Sequence, residues 1–311
     1  MNKDNGYIAL IGLGAIGSPL AHLLYQKYGD RFILLSSEEI KKDLIKQPLY
    51  INGQRFDPRI VTPSHTLDKP LQVLFVCVKN YSLDGAIDTI FPFISDKTVI
   101  LPLQNGVFSY DFFRKKFSNN VILEGYAQGP NTRIFENNIV YQNPGVYHIG
   151  KNHSDYKSYA QDVHTILVDA DVPCIFDENI RHAIWQKMML NVAGNALTAL
   201  TELDYSMFKK SPDAQKICRL IMDEYVAVAS KEGIEITQDD IEEVMTYFIN
   251  YGESKHTSML EDVLNKRETE NEYIAGYIFS LAQKYNLSTP YIELLYSLMK
   301  VKEDVYLGKL V

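Results

Sequence analysis

Two rhythms of apolar residues divide the chain. Over the first half, short apolar runs alternate with helical stretches. The runs are Tyr7–Ile11, Phe32–Leu35 and residues 73–78, 98–103 and 121–126. Consecutive apolar residues without polar alternation mark a strand covered on both faces, as in a parallel sheet. Asn52-Gly53 between Leu49–Ile51 and Gln54–Phe56 is a hairpin signal, with residues 60–62 expected to pair with it. Residues 134–149 alternate and turn at Asn137-Asn138 and Pro144-Gly145, which predicts antiparallel strands added to the same sheet. A helix over 155–170 and a strand over 173–176 follow. Beyond that point the period is helical as far as Leu307, with starts near Pro212, Gln238, Thr269 and Pro290. Ser211 and Thr237 are the caps and Gly233 and Gly308 the stops. The pattern predicts an α/β domain with a doubly wound parallel sheet over 1–178, then an all-helical domain over 179–311.

One helical stretch stands out, residues 185–200. At about 100° per residue, Trp185, Met188, Met189, Val192, Ala196, Ala199 and Leu200 cover one broad arc. What remains is a narrow stripe of Lys187, Asn191, Gly194, Asn195 and Thr198. A surface helix carries a wide charged face instead. Asn and Gly inside a helix each cost about 0.5–1 kcal/mol against Ala. The stripe is therefore either the wall of a polar cleft with a cation at one end, or a buried seam paired with a neighbouring element.

Gly12-Leu13-Gly14-Ala15-Ile16-Gly17 follows the first strand and opens a helical pattern. Strand, G-x-G-x-x-G and helix in that order form the dinucleotide fingerprint in its required context. The first glycine allows the tight turn and the second lets a pyrophosphate approach. The third brings helix and strand together, while the helix N-terminus offers free N–H groups. After the second strand come Ser36-Ser37-Glu38-Glu39 and then Lys41 and Lys42. Hydroxyls with nearby lysines suit a ribose 2′-phosphate and an acid suits the 2′-hydroxyl, so this position leaves NADP and NAD both open. Lys79 and Asn105 end two further strands, where open parallel sheets bind ligands. Each also has a plainer reading, as a strand-end lysine and a turn-forming Asn-Gly.

Composition narrows the partners. A formal charge of −8 over 311 residues argues against nucleic acid and acidic membranes, which need a basic face. Cys77, Cys174 and Cys218 lie in apolar runs, far apart and odd in number, as reduced core residues do. They frame neither a disulfide set nor a metal site. No apolar run approaches ~18 residues and the N-terminus lacks the pattern of a signal peptide, so a cytoplasmic protein is expected.

The ordered set of motifs resembles the ketopantoate reductase (2-dehydropantoate 2-reductase) family over nearly the whole chain. The set comprises the Gly12–Gly17 loop, Val78-Lys79, Gln104-Asn105-Gly106-Val107 and Trp185-Gln186-Lys187 with Asn191 and Asn195. Ser258-Met259-Leu260-Glu261-Asp262, Thr269-Glu270 and Asn271-Glu272-Tyr273-Ile274-Ala275-Gly276 complete it. The resemblance implies a Rossmann-type domain and NADPH-dependent reduction of 2-dehydropantoate to pantoate, for pantothenate and coenzyme A synthesis. By it, Lys187 is the catalytic acid and Glu270 its carboxylate partner, set in the interdomain cleft. Asn105, Asn191, Asn195 and Ser258 bind substrate, and Asp262 lies near it. Gly12, Leu13, Gly14, Ala15, Ile16, Gly17, Ser36, Lys79 and Asn105 line the cofactor site. Ser36 and Ser37 stand where the family commonly has an Arg for the 2′-phosphate, which keeps NADH open. Composition alone reads Glu270 as part of a solvated charged run, residues 266–272. Two other functions remain: reduction of a different 2-oxo or 3-hydroxy acid, and a non-catalytic nucleotide sensor. The intact Lys187, Asn191, Ser258 and Glu270 set speaks against the sensor. A homo-oligomer is compatible with the sequence.

Overall fold

A computed structural model describes residues 6–151, 153–250 and 255–310. The chain forms two compact units. One holds the residues up to Gln104 together with Ser109–Arg181, and the other holds Asn105–Phe108 and the chain from His182 onward.

In the first unit the order is β1 (Tyr7–Ile11), α1 (Gly17–Tyr28), β2 (Phe32–Leu35), α2 (Glu38–Lys46), β3 (Leu49–Ile51), β4 (Gln54–Phe56), β5 (Arg59–Val61) and β6 (Leu71–Val76). It continues with α3 (Leu83–Ile90), β7 (Val99–Pro102), α4 (Phe108–Lys116), β8 (Glu124–Gln128), β9 (Asn131–Phe135), β10 (Asn138–Asn143), β11 (Val146–Gly150), α5 (Lys157–Asp169) and β12 (Cys174–Asp177). Five strands make a wholly parallel sheet in the order β5-β2-β1-β6-β7. Taken by position in the chain, that is the 3-2-1-4-5 order of dinucleotide-binding sheets, whose strand order reverses beside the first strand. Ile8, Ala9 and Leu10 of β1 and Val73, Leu74 and Phe75 of β6 are fully buried, as their unbroken apolar runs require.

Two details depart from the pattern. Residues 60–61 do not join the hairpin; β5 pairs parallel with β2, through Leu34↔Ile60 and Leu35↔Val61. The hairpin itself forms, with Leu49 opposite Phe56. The antiparallel strands do not extend the parallel sheet either. They build a four-stranded sheet, β4-β3-β10-β9, and a three-stranded one, β12-β11-β8. Alternation predicts a strand with one covered face, but it does not say which edge the strand will find.

The second unit is built of helices: α6 (Ile180–Thr201), α7 (Tyr205–Lys209), α8 (Pro212–Lys231), α9 (Gln238–Asn250), α10 (Ser258–Leu264), α11 (Ala275–Lys284) and α12 (Pro290–Tyr306). Ser211 caps α8 by accepting from Ala214 N, and Pro212 occupies the first turn. The helix expected from Thr269 begins later: a 3-10 turn over Asn271–Tyr273 precedes α11. Helix α6 is the buried spine of the unit. Trp185, Met188, Met189, Val192, Ala193, Ala196 and Ala199 are each at most 1% exposed. Tyr225 of α8 donates to its Trp185 carbonyl at 2.8 Å, and Lys302 of α12 to its Ala199 carbonyl at 2.7 Å. No helix among the described residues is long and apolar enough to cross a membrane.

Candidate active site

The first unit carries the glycine loop. Gly12 adopts a φ of +100°, and a β-carbon there would lie 2.6 Å from Val78 N. A β-carbon on Gly17 would overlap the Gly12 carbonyl oxygen. At Gly14 the nearest atom is the Cys77 carbonyl oxygen, 4.0 Å away. The outer glycines therefore close the loop onto the end of β6, and the middle one leaves its face open. Ile16 precedes α1 without a side-chain cap, and in the first turn Ser18 N already donates to the Gly14 carbonyl at 3.0 Å while Pro19 carries no N–H, so the backbone donor that this turn offers an anion is the Gly17 N–H. Ser18, buried in that first turn, has an Oγ without a hydrogen-bond partner. These features fit a nucleotide pyrophosphate.

Two hydroxyls brace this loop, and neither has a signal in the sequence. Thr132 Oγ1 on β9 donates to the Ala15 carbonyl at 2.9 Å. Tyr147 OH on β11, from a fully buried ring, donates to the Ile16 carbonyl at 2.7 Å. Because each peptide is planar and trans, fixing these carbonyls turns the N–H groups of Ile16 and Gly17 the other way. The two separate mixed sheets thus act locally, holding the loop's donors in one orientation.

At the end of β2, Ser36 is 5% exposed and its Oγ is sealed from solvent without a partner. Ser37 caps α2, accepting from Ile40 N at 3.3 Å. The Ser36 hydroxyl therefore points into the protein, and beyond β2 the first exposed side chain is that of Glu38. Lys79 is the residue before a 3-10 turn, Asn80–Ser82, that follows β6.

The second unit carries the cation. Lys187 Nζ on α6 donates to Asn105 Oδ1 at 3.1 Å. One turn farther along, Asn195 Nδ2 donates to Asn191 Oδ1 at 3.3 Å, while Asn191 Nδ2 is buried without a hydrogen-bond partner. Burial of the ammonium lowers the Lys187 pKa to about 8, and the negative charge of Glu270 resists that fall.

Glu270 is 5% exposed, although Lys266, Arg267 and Glu268 just before it are exposed. The break comes at Thr269, whose N and Oγ1 both donate to Glu303 Oε2 on α12, at 2.9 and 2.5 Å. That clamp turns the next residue inward. The solvated-run reading therefore fails at Glu270.

The rest of the α6 stripe is a paired seam. Thr198 Oγ1 lies 2.8 Å from Thr257 Oγ1, which caps α10, and Gly194 is glycine because a β-carbon would overlap the Phe248 ring. The seam reading of the stripe therefore holds at Gly194 and Thr198. Ser258 is exposed at the first position of α10. Asp262 is buried, and its Oδ1 accepts from Arg267 Nε at 2.9 Å.

Comparison with known proteins gives the following. The family model described as "Ketopantoate reductase PanE/ApbA" matches residues 8–154, and the model of that family's C-terminal domain matches residues 179–303. A 2-dehydropantoate 2-reductase from Yersinia pestis is 26% identical, with 96% of each chain covered. A D-mandelate dehydrogenase, solved with NADH and anilino(oxo)acetate, superposes with a TM-score of 0.84 at 24% identity, covering 96% of this chain and 99% of that one. A dimeric ketopantoate reductase from Staphylococcus aureus superposes with a TM-score of 0.78 at 20% identity, covering 96% and 99%.

Proposed function

The chain belongs to the ketopantoate reductase PanE/ApbA family, and we propose from that premise that it reduces 2-dehydropantoate to pantoate. The family is one of NAD(P)H-dependent 2-oxo acid reductases. One observation carries the reading: a part-buried ammonium, Lys187, with a pKa lowered to about 8, hydrogen-bonded to Asn105 and coupled to Glu270.

When bound, a reduced nicotinamide would supply hydride chemistry at C2 of the 2-oxo acid. The charge then gathers on the former carbonyl oxygen, where Lys187 Nζ acts. The ammonium donates a hydrogen bond to that oxygen, stabilises the developing negative charge and gives up a proton, leaving a hydroxyl and a neutral amine. A pKa near 8 suits this role, since the group is mostly protonated at neutral pH and still a competent acid. Solvent restores the proton. Asn105 Oδ1 accepts one of the three ammonium hydrogens and so aims the other two. Glu270 keeps the ammonium charged against its desolvation. The Asn191 and Asn195 amides offer donors and acceptors to the substrate without titrating. In the first unit, the Gly12–Gly17 loop binds the pyrophosphate.

The substrate has a second reading. The D-mandelate dehydrogenase relative was solved with a 2-oxo acid analogue, anilino(oxo)acetate, and the same lysine chemistry would serve any 2-oxo acid. Its NADH also leaves the cofactor open, whereas the family resemblance implies NADPH. The test is turnover of purified protein over a panel of 2-oxo acids, with both reduced nucleotides. The highest kcat/KM for 2-dehydropantoate supports the first reading, and a higher value for an aryl 2-oxo acid moves the assignment to the second. No turnover with any 2-oxo acid defeats both.

A further inference from the structure

We propose that Glu38 makes this chain select NADH over NADPH, by fixing a carboxylate at the end of β2 where the adenosine ribose rests. The proposal rests on reading the Gly12–Gly17 loop as a nucleotide site. In such folds the group that reads the ribose 2′ position lies at the end of the second strand, about 20 residues past the glycine loop. Glu38 opens α2 directly after β2 and stands 21 positions beyond Gly17, 38 minus 17.

Its carboxylate is clamped to the sheet. Oε1 accepts from Thr62 Oγ1 and from Ser64 Oγ, each at 2.5 Å. Thr62 follows β5, the neighbour of β2, and is fully buried. Both bonds fall on Oε1, so among the described residues no donor engages Oε2. The two hydroxyls, helped by Lys41 and His65, hold the carboxyl below its ordinary range, so it is an anion at neutral pH. An ionised carboxylate only accepts hydrogen bonds. It can take a ribose hydroxyl, and it repels a 2′-phosphate.

The cations nearby do not reverse this. Lys41 Nζ lies 3.0 Å from His65 Nε2 and so is drawn to the side where Thr62 and Ser64 hold Glu38. Lys42 is exposed, and residues 36–47 contain no arginine to grip a phosphate with two parallel bonds. The N-terminus of α2 would attract an anion, but Ser37 caps it and Glu38 and Glu39 already occupy its first turn. The NADPH implied by the resemblance therefore meets a built obstacle in this chain.

The test is binding of each nucleotide to the full-length protein, followed by fluorescence without substrate. NADH should bind at least about tenfold more tightly than NADPH, as expected for a like charge placed against the phosphate. Glu38→Gln keeps the shape and removes the charge, so it should tighten NADPH, weaken NADH and shrink the ratio by about tenfold. A Ser64→Ala variant, which only loosens the clamp, should weaken NADH by a smaller factor. Equal or tighter NADPH binding by the unaltered protein overturns the proposal, as does an unchanged ratio in Glu38→Gln. Failure of both nucleotides to bind would instead overturn the reading of the loop, and the proposal with it.

Discussion

Lys187 Nζ and Asn105 Oδ1 lie 3.1 Å apart, so the one lysine of the α6 stripe is held by the loop that follows β7. Asn105 cannot take a proton, and it fixes the direction of the ammonium without adding charge. The charge balance is left to Glu270 and to burial, which act on Lys187 in opposite senses.

That opposition sets the pH profile. Lys187 must carry its proton to donate it, so kcat/KM should hold on the acid side of about 8 and fall as pH rises through that value. Glu270 raises the Lys187 pKa, so Glu270→Gln should move the falling limb to lower pH and reduce turnover at neutral pH. Rates measured against pH for both proteins check this. A limb at the same pH in the variant would show that Glu270 does not act through the ammonium.

Gly194 makes a separate prediction, about stability. In an open helix, Gly→Ala stabilises by about 1 kcal/mol. At Gly194 the added β-carbon overlaps the Phe248 ring of α9, a side chain with no exposed surface. Overpacking of that kind costs about 1–3 kcal/mol. Gly194→Ala should therefore lower Tm, and combining it with Phe248→Leu should return part of the loss. A variant that melts higher than the parent would mean that α6 and α9 can separate at little cost.

The same glycine shows where reading the sequence stops. Strands β1 and β2 are legible to the residue because a buried parallel strand writes itself as an unbroken apolar run. Helix α6 is legible because its polar stripe is too narrow for solvent. The reason for Gly194 is not local: it lies on α9, at Phe248, which no pattern within α6 encodes. Glu270 is hidden in the same way, since a charged run reads as solvated until Glu303 of α12 clamps Thr269 and turns the chain inward. Thr132 and Tyr147 gain their role only when the two smaller, mixed sheets form beside the glycine loop. Which edge a strand joins depends on partners remote in the chain, so both hydroxyls pass in the sequence as ordinary strand residues.

Lys187→Ala tests the chemistry most directly. The variant should fold, because the apolar arc of α6 is untouched and the lysine is one whose charged form burial already disfavours. It should bind nucleotide as before, since the Gly12–Gly17 loop is part of the other unit. The cost should fall on catalysis, by roughly 10²–10⁴-fold, which is the usual worth of a positioned general acid. The way that loss divides is informative. A proton donor acts on charge that exists only in the transition state, so its removal lowers kcat and leaves KM nearly unchanged. A residue that only anchors the substrate carboxylate acts equally in both states, so its loss raises KM while kcat holds. Steady-state rates at saturating substrate decide between them, with nucleotide affinity measured on the same sample. Normal turnover in Lys187→Ala would take this lysine out of the proton transfer, leaving α6 as a binding wall whose Asn191 and Asn195 hold a substrate protonated from another source.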